Sequence, residues 1–207
     1  MPHLILLGDS IFDNQSYVPG EPDVVRQVQA VLPSGWSASL RAVDGATTAS
    51  LPGQMARLPR DATHLVVSMG GNDAIGASHI LYETVPRVAD AVARLAAAQG
   101  RFAANYNAAL ERVLAAGLPT AICTIYDTPR TRDQQPVIQT ALCIFNDVIS
   151  RAAFSRGLPL IDLRLICSED ADYSNPIEPS AQGGRKMAAA IARLVESDWS
   201  LQVVASG

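Results

Sequence analysis

Three short segments hold residue types that could together carry out acyl transfer. Gly8-Asp9-Ser10 closes the first apolar run, Asp44-Gly45-Ala46-Thr47-Thr48 follows the second, and Gly70-Gly71-Asn72-Asp73 follows the third. A serine at a strand end can project its hydroxyl into a crevice, though alone it reads first as a helix cap or turn residue. Gly45 would let a backbone N–H approach a ligand closely. Alone it marks an ordinary strand-to-helix turn, with Thr47 or Thr48 capping the next helix. Asn72 could turn its amide toward the same crevice, and alone it is an Asx-turn residue. Taken together they supply a hydroxyl nucleophile and hydrogen-bond donors for the negative charge that grows on a carbonyl oxygen under attack. The chain carries no Gly-x-Ser-x-Gly elbow around a serine, so the α/β-hydrolase arrangement is not indicated.

That combination works only if the segments meet. Five apolar runs read as buried strands: Leu4–Leu7, Ser39–Val43, His64–Met69, Thr120–Ile125 and Leu160–Leu163. Helical periodicity lies between and after them. Val24, Val28, Val31 and Leu32 share a face, as do Phe102, Tyr106, Leu110 and Val113, then Val137, Ala141, Ile144 and Val148, and finally Met187, Ile191, Leu194 and Val195. Gly117 and Gly157, each followed two residues later by proline, punctuate two of these helices. The stretch 75–100 reads either as one long helix or as a lid followed by a helix. Strands alternating with helices predict a parallel sheet covered on both faces, a three-layer α/β/α domain spanning 1–207. Loops at the strand C-terminal ends then gather on one rim, where such sheets bind ligands.

Composition narrows the function classes. A chain of 207 residues with 48% hydrophobic and 17% charged residues suits a globular domain. Net charge is −4, Lys186 is the only lysine, and the arginines are scattered, so a nucleic-acid-binding stripe is not expected. Cys123, Cys143 and Cys167 are too widely spaced for a zinc site or disulfide framework. Cys123 and Cys143 read as buried thiols, Cys167 as a loop residue open to solvent. The start of the chain lacks a basic leader region, and no apolar run reads as long enough to cross a bilayer. The expectation is a cytoplasmic protein with a small-molecule ester substrate, no cofactor or metal, and neither nucleic acid nor membrane as partner. Self-association is left open.

Leu6-Leu7-Gly8-Asp9-Ser10-Ile11-Phe12-Asp13-Asn14 resembles the first conserved block of the SGNH/GDSL hydrolases. Gly45 matches the glycine of their second block, and Gly70-Gly71-Asn72-Asp73 the Gly-x-Asn-Asp of their third. The resemblance runs over nearly the whole chain. It implies a flavodoxin-like sheet ordered 2-1-3-4-5, with Ser10 as nucleophile. The Ser10 N–H, the Gly45 N–H and the Asn72 side chain would be the oxyanion donors. Asp9 and Asp73 would be supporting residues.

The last block departs from the family. Where the family carries Asp-x-x-His, this chain reads Asn175-Pro176-Ile177-Glu178. By register Glu178 stands in the place of the histidine and Asn175 in that of the aspartate. Histidine suits a general base because its pKa is about 6.5, against about 4.3 for glutamate. A Glu178 base therefore predicts activity persisting into mild acid, unless desolvation raises its pKa. Asn175 is expected to hold the Glu178 carboxylate through its amide. His3 and His64 stand at strand starts, far from the rim, and His79 reaches it only if its loop folds inward. Asp170 and Asp172 read as surface acids. Three readings are open: an esterase with an altered dyad, a binding protein that kept the pocket and lost turnover, and an acyltransferase using Ser10. A nucleotide-binding protein is a weaker fourth, for want of a phosphate loop.

Overall fold

The computed structural model describes residues 1–197, 199 and 203–204. In chain order the elements are β1 (His3–Gly8), α1 (Val24–Val31), β2 (Ser37–Leu40), α2 (Leu51–Met55), β3 (His64–Ser68), α3 (Gly71–Ala77) and α4 (Val88–Leu114). They continue with β4 (Thr120–Cys123), α5 (Gln135–Arg156), β5 (Leu160–Ile161), α6 (Leu163–Ile166), β6 (Tyr173–Asn175), β7 (Glu178–Pro179), α7 (Ala181–Glu196) and β8 (Val203–Val204). The main sheet is parallel throughout and ordered β2-β1-β3-β4-β5-β8. The expected order 2-1-3-4-5 is present, with a sixth strand added at its edge.

β1 shows why the sheet needs two covering layers. Leu4, Ile5, Leu6 and Leu7 are all fully buried, and side chains on a strand alternate between faces. Leu4 and Leu6 pack into one core with Val24 and Val28 of α1 and Met187, Ile191 and Leu194 of α7. Ile5 and Leu7 enter the other, with Phe102, Tyr106 and Leu110 of α4 and Phe145 and Ile149 of α5. A strand buried on both sides has to be apolar at every position, hence the unbroken run.

Several expectations are corrected. β2 ends at Leu40 and not at Val43, because Arg41 and Ala42 both donate to the Leu6 carbonyl and stop the ladder. Of the two readings of the stretch 75–100, one long helix is excluded. α3 runs into a 3₁₀ helix at Ser78–Tyr82, the chain breaks around Pro86, and α4 then runs for 27 residues. Cys143 is exposed, since α5 turns Leu142 and Phe145 inward instead. Cys167 is buried in the core beside α7. α5 does meet the length and composition of a membrane span, with a mean hydropathy of 1.3. In this fold it packs against α4 and contributes Phe145, Val148 and Ile149 to the core.

Candidate active site

Ser10 stands just past the end of β1, and two features set its position. Gly8 has φ +134, and a Cβ there would lie 1.8 Å from the Ser68 carbonyl oxygen on β3. The buried Gln54 grips the same residue, accepting the Gly8 N–H at 2.8 Å and donating to its carbonyl at 2.7 Å. The Asp9 N–H then bonds Ser68 O, while Phe12 and Asp13 donate to Asp9 O, closing a tight turn around Ser10. Gly8→Ala combines a collision with backbone and an unfavourable φ. It is expected to lower stability by about 3 kcal/mol or more, read as a fall in Tm and in soluble yield. An unchanged Tm would refute the account.

The Ser10 hydroxyl donates to Glu178 Oε1 at 3.1 Å, joining residues 168 apart in sequence. Glu178 reaches it from the β6–β7 hairpin, which three side chains hold in place. Asn175 Oδ1 accepts the N–H groups of Ile177 (2.9 Å) and Glu178 (3.0 Å). The Tyr126 hydroxyl donates to Ile177 O at 2.7 Å, and Asn14 Nδ2 to Pro179 O at 3.3 Å. Asn14 Oδ1 also accepts the first N–H of α1, from Val24, so one buried amide ties the turn after Ser10 to the strand bearing Glu178. Asn175 thus fixes the Glu178 backbone. That corrects the expectation that its amide holds the carboxylate: an Asn ahead of proline bends its oxygen back onto the following N–H groups, as Asx-turns do.

Glu178 is only 4% exposed, and its Oε2 has no hydrogen-bond partner among the described residues. Burial pushes its pKa up to about 7. The Ser10 hydroxyl opposes the rise and the charge of Asp44 adds to it. The carboxyl is therefore poised where an ordinary histidine would be.

Gly70 and Asn72 come next along the rim. Gly70 has φ +123, and a Cβ there would press on the Phe102 ring at 2.9 Å, so the turn into α3 packs directly on α4. Asn72 Nδ2 donates to Ala46 O at 2.9 Å, which ties the Gly45 loop to α3. Asp73 does the same from its side, accepting the Thr48 N–H at 3.0 Å and the Thr48 hydroxyl at 2.7 Å. The Asp44 N–H bonds Asp13, fastening the loop to the Ser10 turn as well. Among the described residues neither the Ser10 N–H nor the Gly45 N–H has an acceptor. Ser10, Asn72 and Glu178 line one cavity of about 250 Å³, whereas Gly45 is exposed and stands outside that lining.

Asp9 is buried beside Ser10. Burial lifts its carboxyl to about 7 against the pull of the Ile11 N–H, with Glu178 and Asp73 repelling it further. His79 is exposed, bonded to Gly76 O and 3.9 Å from Glu83, and does not line the cavity. His3 bonds Ser39 and His64 stacks between Trp36 and Trp199. Asp172, expected at the surface, is fully buried: its carboxylate takes Lys186 at 2.8 Å and its carbonyl receives the Ser180 N–H. Among the described residues no three His, Cys, Asp or Glu side chains converge as metal ligands. Sequence alone assigns no role to Asn14, Gln54 or Tyr126. Asn14 has a local signal, standing in the same motif as Ser10; Gln54 and Tyr126 have none.

Comparison with known proteins bears on the fold and the family. Phospholipase A1 from Streptomyces albidoflavus superposes with a TM-score of 0.69 at 17% identity, over 94% of this chain and 98% of that one. The carbohydrate acetylesterase Est24 from Sinorhizobium meliloti gives 0.67 at 14% identity, over 95% and 99%. The acetyl xylan esterase AlAXEase gives 0.66 at 17%, over 93% and 99%. At such identities the likeness is one of fold. No curated protein matches the sequence. The model of the GDSL-like lipase/acylhydrolase family does match, over residues 6–186, and the chain therefore belongs to that family of ester hydrolases.

Proposed function

We propose that this protein hydrolyses carboxylic esters in two steps through an acyl-enzyme on Ser10, with Glu178 as the general base. The observation that carries the reading is the hydrogen bond from Ser10 Oγ to the buried Glu178 carboxylate. In the first step the Ser10 oxygen attacks the ester carbonyl carbon as its proton passes to Glu178. The carbonyl π pair becomes an oxyanion, met by the Ser10 N–H, the Gly45 N–H and the free N–H of the Asn72 amide. Collapse of the tetrahedral intermediate re-forms the carbonyl and breaks the bond to the alkoxy oxygen. Glu178 returns its proton to that oxygen, and the alcohol leaves. Water then repeats the sequence on the acyl-Ser10 ester, giving a carboxylic acid and free Ser10.

A carboxylate at its ordinary pKa of about 4.3 would be a weak base for this step. Burial of Glu178 removes that difficulty, because proton transfer is best served by a base whose pKa lies near the working pH. That favours a working site over one that has lost turnover. A fluorophosphonate probe reacts with an activated serine, so the purified protein should gain one adduct, located by peptide mass at Ser10. A protein that remains unlabelled while a chromogenic acetate ester also goes unhydrolysed would overturn the reading.

A further inference from the structure

The apolar stripes of two helices run on past the core. In α4, Phe102, Tyr106 and Leu110 belong to the core on that side of the sheet, and the same face continues back to Ala98 and Leu95. In α5, Phe145, Ile149 and Ala152 are core residues, and their face continues back to Leu142, Ala141 and Ile138 at helical spacing. These extensions line the Ser10 cavity, and every residue that α4 and α5 contribute to its lining is apolar. Leu95, Ile138, Ala141 and Leu142 are only half-buried. Their remaining surface is apolar area that a ligand chain would gain by covering. Phe145 gives the chamber a firm wall, because its ring rests on that of Phe102 with centroids 5.0 Å apart.

Ser10, Asn72 and Glu178 line the same cavity, so whatever fills this chamber is joined to the reacting ester. Glu178 must return a proton to the leaving oxygen, so the alcohol faces Glu178 and the acyl arm takes the chamber. Size then sets its length. An apolar cavity of about 150 Å³ takes a benzene ring. On that scale the present cavity, at about 250 Å³, holds roughly ten carbon-sized atoms. The ester group occupies part of that space. We propose that the substrate is an ester of a medium-chain fatty acid, roughly six to eight carbons long, with its chain between α4 and α5. The proposal rests on the serine-esterase reading for the orientation of the two arms.

A chain-length series and an isomeric pair test it. On p-nitrophenyl esters of two- to twelve-carbon acids, kept below aggregation, kcat/KM should rise about fourfold per methylene from acetate to hexanoate. Beyond octanoate it should gain nothing more. Methyl octanoate and heptyl acetate contain the same atoms, so they differ only in which arm carries the chain. Methyl octanoate should be hydrolysed with kcat/KM higher on the order of tenfold or more. Ala141→Phe, which fills the chamber, should move the optimum to a shorter acid. Ile138→Asn, at a half-buried position outside the core clusters, should lower the octanoate-to-acetate ratio on the order of tenfold. An optimum at acetate, a gain that continues to twelve carbons, a preference for heptyl acetate, or a length profile unchanged in both folded variants would each overturn the chamber. The Ser10→Ala protein is titrated calorimetrically with methyl butanoate, hexanoate and octanoate in parallel. Turnover by the parent without the chain-length gain removes the chamber alone. The same gain in Ser10→Ala binding, with no ester turned over by the parent, keeps the chamber and removes the esterase reading.

Discussion

Glu178→Gln should lower kcat for any hydrolysed ester by about 10²- to 10⁴-fold, the range that a positioned general base supplies. The amide keeps the size of the side chain and can still meet the Ser10 hydroxyl, but it cannot take its proton. Fluorophosphonate labelling of Ser10 should slow in parallel. The fold should be unharmed: a neutral amide is easier to bury than a carboxylate with an unpartnered Oε2, so Tm should stay the same or rise. The pH profile is set by the raised pKa of about 7. The base works only when ionised, so kcat/KM should be flat above pH 7 and fall tenfold per unit below it. The acid tolerance expected of an ordinary glutamate is thereby lost, and the position of this limb alone does not distinguish Glu178 from a histidine. Two variants do. Asp44→Asn removes a charge that pushes Glu178 up, and should shift the limb to lower pH. His79→Ala should leave it in place, because His79 lies outside the cavity. An undiminished Glu178→Gln enzyme, or a limb abolished by His79→Ala, would assign the base elsewhere.

What the sequence makes legible depends on the reach of each interaction. β1 is readable because a central strand buried on both faces has no polar position to interrupt it. β2 is misread by two residues at its start and three at its end because an edge strand is half-buried, and the Ser-Ala-Ser-Leu alternation of Ser37–Leu40 is too short to fix its bounds. β8 is two residues long, too short for any period to register. At the site, Ser10, Gly45, Asn72 and Glu178 come from motif and register, which are matters of residue type and order. The pieces that position Glu178 are not of that kind. Tyr126 meets Ile177 across 51 residues, and Asn14 meets Pro179 across 165. The raised pKa of Glu178 is likewise a property of burial, and a sequence window does not contain it. The contact made by Asn175 is misjudged from sequence for a related reason. Its residue type supports both an amide on a carboxylate and an Asx-turn, and only the path of the β6–β7 turn decides between them.

Asn72→Ala should lower kcat by about 10²- to 10³-fold, with KM changed far less. The donor acts on charge that is small on the bound ester and large in the transition state, so its loss falls mainly on kcat. The geometry gives a reason to expect the upper part of that range. One amide N–H of Asn72 holds Ala46 O at 2.9 Å, so the alanine variant also frees the loop that carries the Gly45 N–H. Asp73 supplies the control. Its carboxylate holds the same loop through Thr48, but it does not line the cavity. Asp73→Asn should cost stability through the weakened tie to Thr48, while kcat falls by less than in Asn72→Ala. Asn72→Asp separates donor from shape. A carboxylate of the same size has no proton to offer the oxyanion and would repel it, so this variant should be at least as slow as Asn72→Ala. Stopped-assay kcat and KM values for the three variants on one chromogenic ester decide the matter. If Asn72→Asp matches the parent rate, Asn72 is neither a donor to the oxyanion nor a necessary fastener of the Gly45 loop, because the carboxylate cannot donate to Ala46 O either.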